Sequence, residues 1–171
     1  LEGRPGLELT ELTFGGAGRA GTVARDAGWY PVGIARAARH LDVLHCPTMR
    51  VPVRARPPVV ATVHDVAVLR YPAAFPRWHR HTGQLALRQA VRTADAIVAV
   101  SEFTRDELGA VLGVTADRVR VIGNGVDPVF TTDGPAEDGD YVLAVGTLGP
   151  LKNLARLADA GRLPALEVRV V

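Results

Sequence analysis

The chain has 171 residues, 47% of them hydrophobic and 22% charged, with a formal net charge of +2. That length fits one domain, or one and part of a second, and the composition is that of a chain that buries a core. Arginines are scattered without a block of like charge and aromatic content is 5%, which argues against a dedicated nucleic-acid face.

In chain order, "LELTEL" (7–12) alternates and is expected to be a strand, followed by a helix over roughly 22–40. "LDVLHC" (41–46) reads as a strand ending at Cys46, the only cysteine, so neither an intrachain disulfide nor a CxxC metal site exists. A lone thiol fits a reducing cytosol, and "HCPT" reads as the end of a buried strand before it reads as a nucleophile. "PVVATVHD" (58–65) is a continuous apolar run, the pattern of a strand buried on both faces of a parallel sheet. Ligands in open α/β sheets bind beyond the carboxyl ends of strands, which singles out His64 and Asp65. His64 suits a phosphate or a sugar hydroxyl. On the residues alone, a packed His64 and an Asp65 that caps the next segment stand equally. The following "VAVLRYPAAFPRWHRH" (66–81) reads as a long loop, a lid or a solvated face, before a helix over 76–93. His79-x-His81 places its rings on different helix faces, which argues against a metal pair. No metal and no cofactor are expected. The basic stretch 77–92 leaves peripheral membrane contact open, although no apolar run reaches the ~20 residues that span a bilayer.

"AIVAVS" (96–101) is the next strand, and Ser101 fits the N-cap of a helix over 102–112. Glu102, Asp106 and Glu107 suit the start of that helix, Phe103, Leu108 and Leu112 its buried stripe, and Gly113 its end. "RVRVIGNG" (118–125) follows, with Asn124-Gly125 as a tight-turn signal leading to Asp127-Pro128. Residues 128–140 read as an exposed linker. "YVLAVGT" (141–147) and "LEVRVV" (166–171) read as strands flanking a helix over 152–160. Gly146 lets the backbone turn closely, Pro150 suits a first helical turn, and Thr147 and Asn153 are polar contacts. Lys152 is the only lysine among 20 Lys+Arg positions. A cation at a helix start opposes the macrodipole unless an anion sits there. A phosphate contact and a plain surface lysine both remain open, since neither GxxxxGK[ST] nor GxGxxG occurs.

Alternating strands and helices predict an α/β fold with a Rossmann-like parallel sheet. The expected division is residues 1–127 as most of one such domain, 128–140 as linker and 141–171 as the opening β-α-β of a second. The start at Leu1 and the strand-like end suggest a fragment.

"VVATVHD", "AIVAVSEFTRDEL", "RVRVIGNGVDPVF" and "YVLAVGTLGPLKNLARL", in that order over residues 58–160, resemble the family 4 retaining glycosyltransferases of the GT-B fold. The resemblance implies two Rossmann-like domains with a cleft between them, residues 1–127 being the acceptor side and 141–171 the start of the donor side. It implies metal-free transfer of a sugar from a UDP- or GDP-linked donor to a carbohydrate, lipid-linked or small-molecule acceptor in the cytoplasm, with the inner membrane face as a peripheral location. His64 would be the catalytic residue near the transferred sugar, Lys152 the diphosphate contact, and Gly146, Thr147 and Asn153 further donor-side residues. Asp65, Ser101, Asn124 and Gly125 would line the cleft. Where many members carry an arginine this chain has Thr147, and "EPRKN" stands here as "GPLKN". The resemblance also calls for a glycine-rich turn before residue 1 and a Glu pair beyond residue 171, so this stretch alone is expected to be inactive. A non-catalytic α/β binding domain and a GT-B nucleotide-sugar epimerase are the alternatives.

Overall fold

The computed structural model describes residues 5–16, 18–131, 133, 141–146, 149–160 and 167–170. Short runs of β-branched and small apolar residues become strands: β1 (Leu44–Cys46), β2 (Val59–Val63), β3 (Ala96–Ala99) and β4 (Val119–Val121). They pair in parallel in the order β1-β2-β3-β4. The register sets Leu44 beside Val59, Val60 beside Ala96, and Ile97 beside Val119. All four carboxyl ends therefore open on one rim of the sheet, where Pro47, His64, Val100 and Ile122 follow their strands.

Helices fill the connections. Before β1, α1 (Gly18–Ala24) runs through a π-helical stretch (Arg25–Gly33) into α2 (Ile34–Ala37). Pro31 lies inside the π-helical stretch and has no N–H to donate there. Between β2 and β3 come α3 (Ala67–Arg70), a 3-10 turn (Pro72–Ala74) and α4 (Arg77–Thr93). Part of the expected loop at 66–81 is thus helical. Asp65 explains the start, because its Oδ1 accepts the Ala67 N–H at 2.8 Å. Helix α5 (Glu102–Leu112) links β3 to β4 and ends on Gly113 at φ +66°, the left-handed cap that glycine favours.

The core lies on this sheet. Val59, Ala61, Val63, Ile97 and Ala99 form one buried cluster with Leu87 and Ala90 of α4 and Leu108 of α5. Four of the five β2 residues are buried, which is why its sequence is apolar but for Thr62, whose hydroxyl meets His45 Nε2 at 2.9 Å. Residues 7–12 form no strand; Leu7 and Leu9 are 51% and 65% exposed. Alternation favours a strand only where another strand takes up its backbone groups, and among the described residues none pairs there.

A second, two-stranded parallel sheet is formed by β5 (Tyr141–Ala144) and β6 (Glu167–Val170), with α6 (Leu154–Ala160) between them in sequence. This is the expected β-α-β unit. The expected helix at 152–160 begins two residues later, after a 3-10 turn (Pro150–Lys152). Asn153 breaks the two apart with φ +50°. Of the expected linker, residues 132 and 134–140 lie outside the described residues. No described helix is long and apolar enough to cross a membrane.

Candidate functional site

Where β2 ends, the backbone carries His64 and Asp65 onto the carboxyl rim as expected. His64 Nε2 lies 3.0 Å from the Pro47 carbonyl oxygen at the end of β1. A carbonyl only accepts, so Nε2 carries the hydrogen, and in the neutral form of the ring Nδ1 is then the acceptor. The His64 carbonyl in turn accepts from Thr104 Oγ1 at 3.2 Å. Thr104 has a single hydroxyl hydrogen, so Ser101 Oγ donates across the 3.0 Å contact between the two hydroxyls. Ser101 Oγ also accepts the Thr104 N–H at 3.1 Å, the expected N-cap. The chain Ser101–Thr104–His64 thus ties the start of α5 to the end of β2.

An open cleft of about 460 Å³ lies against this rim, lined by His64, Asp65, Arg70, Tyr71, Phe103, Thr104 and Glu107 among others. Arg70 of α3 and Glu107 of α5 clasp each other in a two-pronged pair, Nε to Oε2 at 2.6 Å and Nη2 to Oε1 at 2.8 Å. That hydrogen-bonded guanidinium holds the Glu107 carboxyl below its usual range against the opposing effect of desolvation. Tyr71 and Phe103 are 64% and 74% exposed. Two aromatic faces, a fixed ion pair and a histidine acceptor suit a ligand with apolar ring faces and hydroxyl edges.

The sequence reading had Phe103 in the buried stripe of α5. The inward face is instead Thr104 and Leu108, with Val111 and Leu112 packed at its edge. Phe103 precedes Thr104 by one position, about 100° round the helix, and so points away from that face. Arg70, Tyr71, Thr104 and Glu107 were not foreseen as site residues. The Ser101 N-cap was a signal for Thr104, since a cap oxygen accepts the N–H three residues on. Arg70 and Glu107 are 37 residues apart and meet only through the fold. Ser101 stands behind Thr104, outside the cleft lining, and Asp65 lies within it.

Asn124 and Gly125 lie beyond β4 in an exposed segment without the expected tight turn. The turn comes at Asp127-Pro128-Val129-Phe130, where Phe130 N–H reaches the Asp127 carbonyl and Val129 N–H reaches Asp127 Oδ1, both at 2.9 Å. Asp before Pro is the stronger turn-starting pair.

In the second sheet, Gly146 has φ +156° and lies two residues past the end of β5. A Cβ built there would lie 3.7–3.8 Å from Cγ, Cδ and Cε of Lys152. The stem of the exposed Lys152 therefore folds back over the strand exit beside Gly146. Asn153 follows at once in its left-handed conformation. Thr147 lies outside the described residues.

Cys46 is 2% exposed, and burial pushes its thiol up to about 11, the environment of an inert cysteine. Among the described residues no three His, Cys, Asp or Glu side chains gather to hold a metal ion.

Comparison with known proteins places this rim in a family. The O-antigen chain mannosyltransferase B of Escherichia coli is 26% identical over 139 residues, covering 75% of this chain. The chain spans 36% of that protein's length. The family model described as Glycosyltransferase Family 4 matches residues 17–130, which include the four-stranded sheet and the whole cleft, and the chain belongs to that family.

Proposed function

We propose that the full-length protein transfers a sugar from a UDP- or GDP-linked donor to an acceptor hydroxyl, with retention of configuration. In this reading residues 1–127 form the acceptor-side domain, 128–140 the connection and 141–171 the opening of the donor-side domain. The observation that carries it is the rim cleft, where His64 offers Nδ1 beside two exposed aromatic rings in a chain of this family. Nδ1 accepts a hydrogen bond from a sugar hydroxyl and orients it. His64 is thereby the catalytic residue of this chain, and it works without a metal.

On the donor side, Lys152 neutralises charge that develops on the diphosphate as the glycosidic C–O bond breaks toward phosphate. Gly146 lets the backbone approach the phosphates, and Thr147 and Asn153 add polar contacts. Asp65, Asn124 and Gly125 border the cleft from the loops beyond β2 and β4, and Ser101 supports it from behind. The acceptor is a carbohydrate, a lipid-linked or a small-molecule hydroxyl compound, and the protein acts in the cytoplasm. The relative's name makes a mannosyl nucleotide the first donor to test.

Calorimetric titration of the full-length protein with UDP and with GDP tests the donor side. Micromolar binding that Lys152→Ala weakens about tenfold supports the assignment, a charge-assisted hydrogen bond being worth about that much. Binding unchanged by the substitution removes Lys152 from the site, and no binding of either nucleotide favours a non-catalytic domain.

A further inference from the structure

A second groove lies at the opposite rim of the sheet, away from His64. Residues 53–58 lead into β2 there, and the Pro58 carbonyl accepts from Leu44 N–H at the start of β1, 2.9 Å away. The Val53 carbonyl accepts from Gln89 Nε2 and Thr93 Oγ1 in the last turns of α4, each at 3.4 Å. Val53 N–H donates to the Pro31 carbonyl at 3.0 Å, clipping this segment to the helix that becomes α2. These bonds bring Arg36 and Arg39 together with Arg54 and Arg56 around an open groove of about 700 Å³.

In the sequence these four arginines look like part of an even scatter. In the fold they share one wall with apolar neighbours, among them Val32 and Val53, 45% and 61% exposed. Among the described residues no carboxylate lines the groove. Among the described residues none of the four is in an ion pair, whereas Arg25, Arg50, Arg70 and Arg105 all are. Like charges gathered without counter-charges repel, and an anion in the groove reverses that. Guanidinium forks match phosphate oxygens two at a time, and the apolar wall limits the competing solvation.

We propose that this groove binds a ligand carrying closely spaced phosphate groups, at a site separate from the carboxyl-rim cleft. The test uses the full-length protein in a Lys152→Ala background, so that the donor-side lysine contributes nothing. Pyrophosphate is titrated by calorimetry at low ionic strength, and phosphatidylglycerol vesicles are compared with phosphatidylcholine vesicles by co-sedimentation. The pairs Arg36→Gln/Arg54→Gln and Arg39→Gln/Arg56→Gln are set against Arg88→Gln/Arg92→Gln, exposed arginines of α4 that remove the same charge. All six sit on exposed side chains, and circular dichroism checks that each variant stays folded.

Each groove pair is expected to weaken binding about 100-fold, roughly tenfold per arginine. The α4 pair is expected to weaken it less than about threefold, because neither of its side chains lines the groove. Pyrophosphate binding without vesicle preference assigns a soluble phosphate compound, and preference for the anionic vesicles assigns a lipid headgroup. Absence of both, or an equal loss in the α4 pair, overturns the proposal.

Discussion

Strands β2 and β5 have nearly the same sequence character, an apolar run that ends in a polar turn, yet their surroundings differ. β2 is the second of four strands and its Val59, Ala61 and Val63 are 2%, 0% and 0% exposed. β5 pairs only with β6 among the described residues, and Val142, Leu143 and Val145 are 38%, 54% and 74% exposed. An apolar run states what a segment can bury, while its neighbours decide what it does bury. Both strands end at a proposed contact point for the reaction, His64 after β2 and Lys152 after β5. The first is held by hydrogen bonds on two sides, and the second rests on packing against Gly146.

The largest break in this contrast comes from the packed sheet. Leu87→Ala is expected to destabilise the chain by about 2–5 kcal/mol in urea unfolding, since Leu87 is fully buried in the core cluster. A loss below about 1 kcal/mol would mean that this core is not the one that folds. Ser101→Ala removes the cap of α5 and is expected to cost about 1 kcal/mol. The same substitution loosens Thr104 and with it the His64 carbonyl, so broadening of the His64 ring resonances should accompany the lost stability.

Cys46 adds an alkaline test of burial at the end of β1. Its thiol stays protonated in the folded chain up to about 11, against 9.0 for an unburied thiol. The unfolded chain therefore releases that proton first, so stability declines as pH rises from about 9 to about 11. Cys46→Ala should flatten that part of the profile, and an unchanged slope would assign it to other groups. The smallest effect is expected in the second sheet. Leu143→Ala should change unfolding by less than about 0.5 kcal/mol, because its side chain is largely in water.

Much of the fold was legible because it depends on local pattern. The apolar runs of β1 to β6, the Ser101 cap, the Gly113 stop and the helix over 102–112 all announce themselves within a few residues. What escaped depends on distant partners. Residues 7–12 alternate like a strand and meet no strand to pair with among the described residues. Phe103 looked like a core residue because its type was read before its position on the helix. The strand-end rule found His64 and Asp65, since it needs only the end of β2. The Arg70–Glu107 clasp and the gathering of Arg36 with Arg54 join segments far apart in the chain, and no local motif encodes them.

The most direct measurement is sugar transfer by the full-length protein at saturating donor, comparing wild type with His64→Ala and Lys152→Ala. The account predicts that each substitution lowers kcat about 100-fold or more, as loss of a positioned polar contact to the transition state does. Wild-type turnover in the His64→Ala enzyme would contradict the claim that the β2 rim is where the sugar is held.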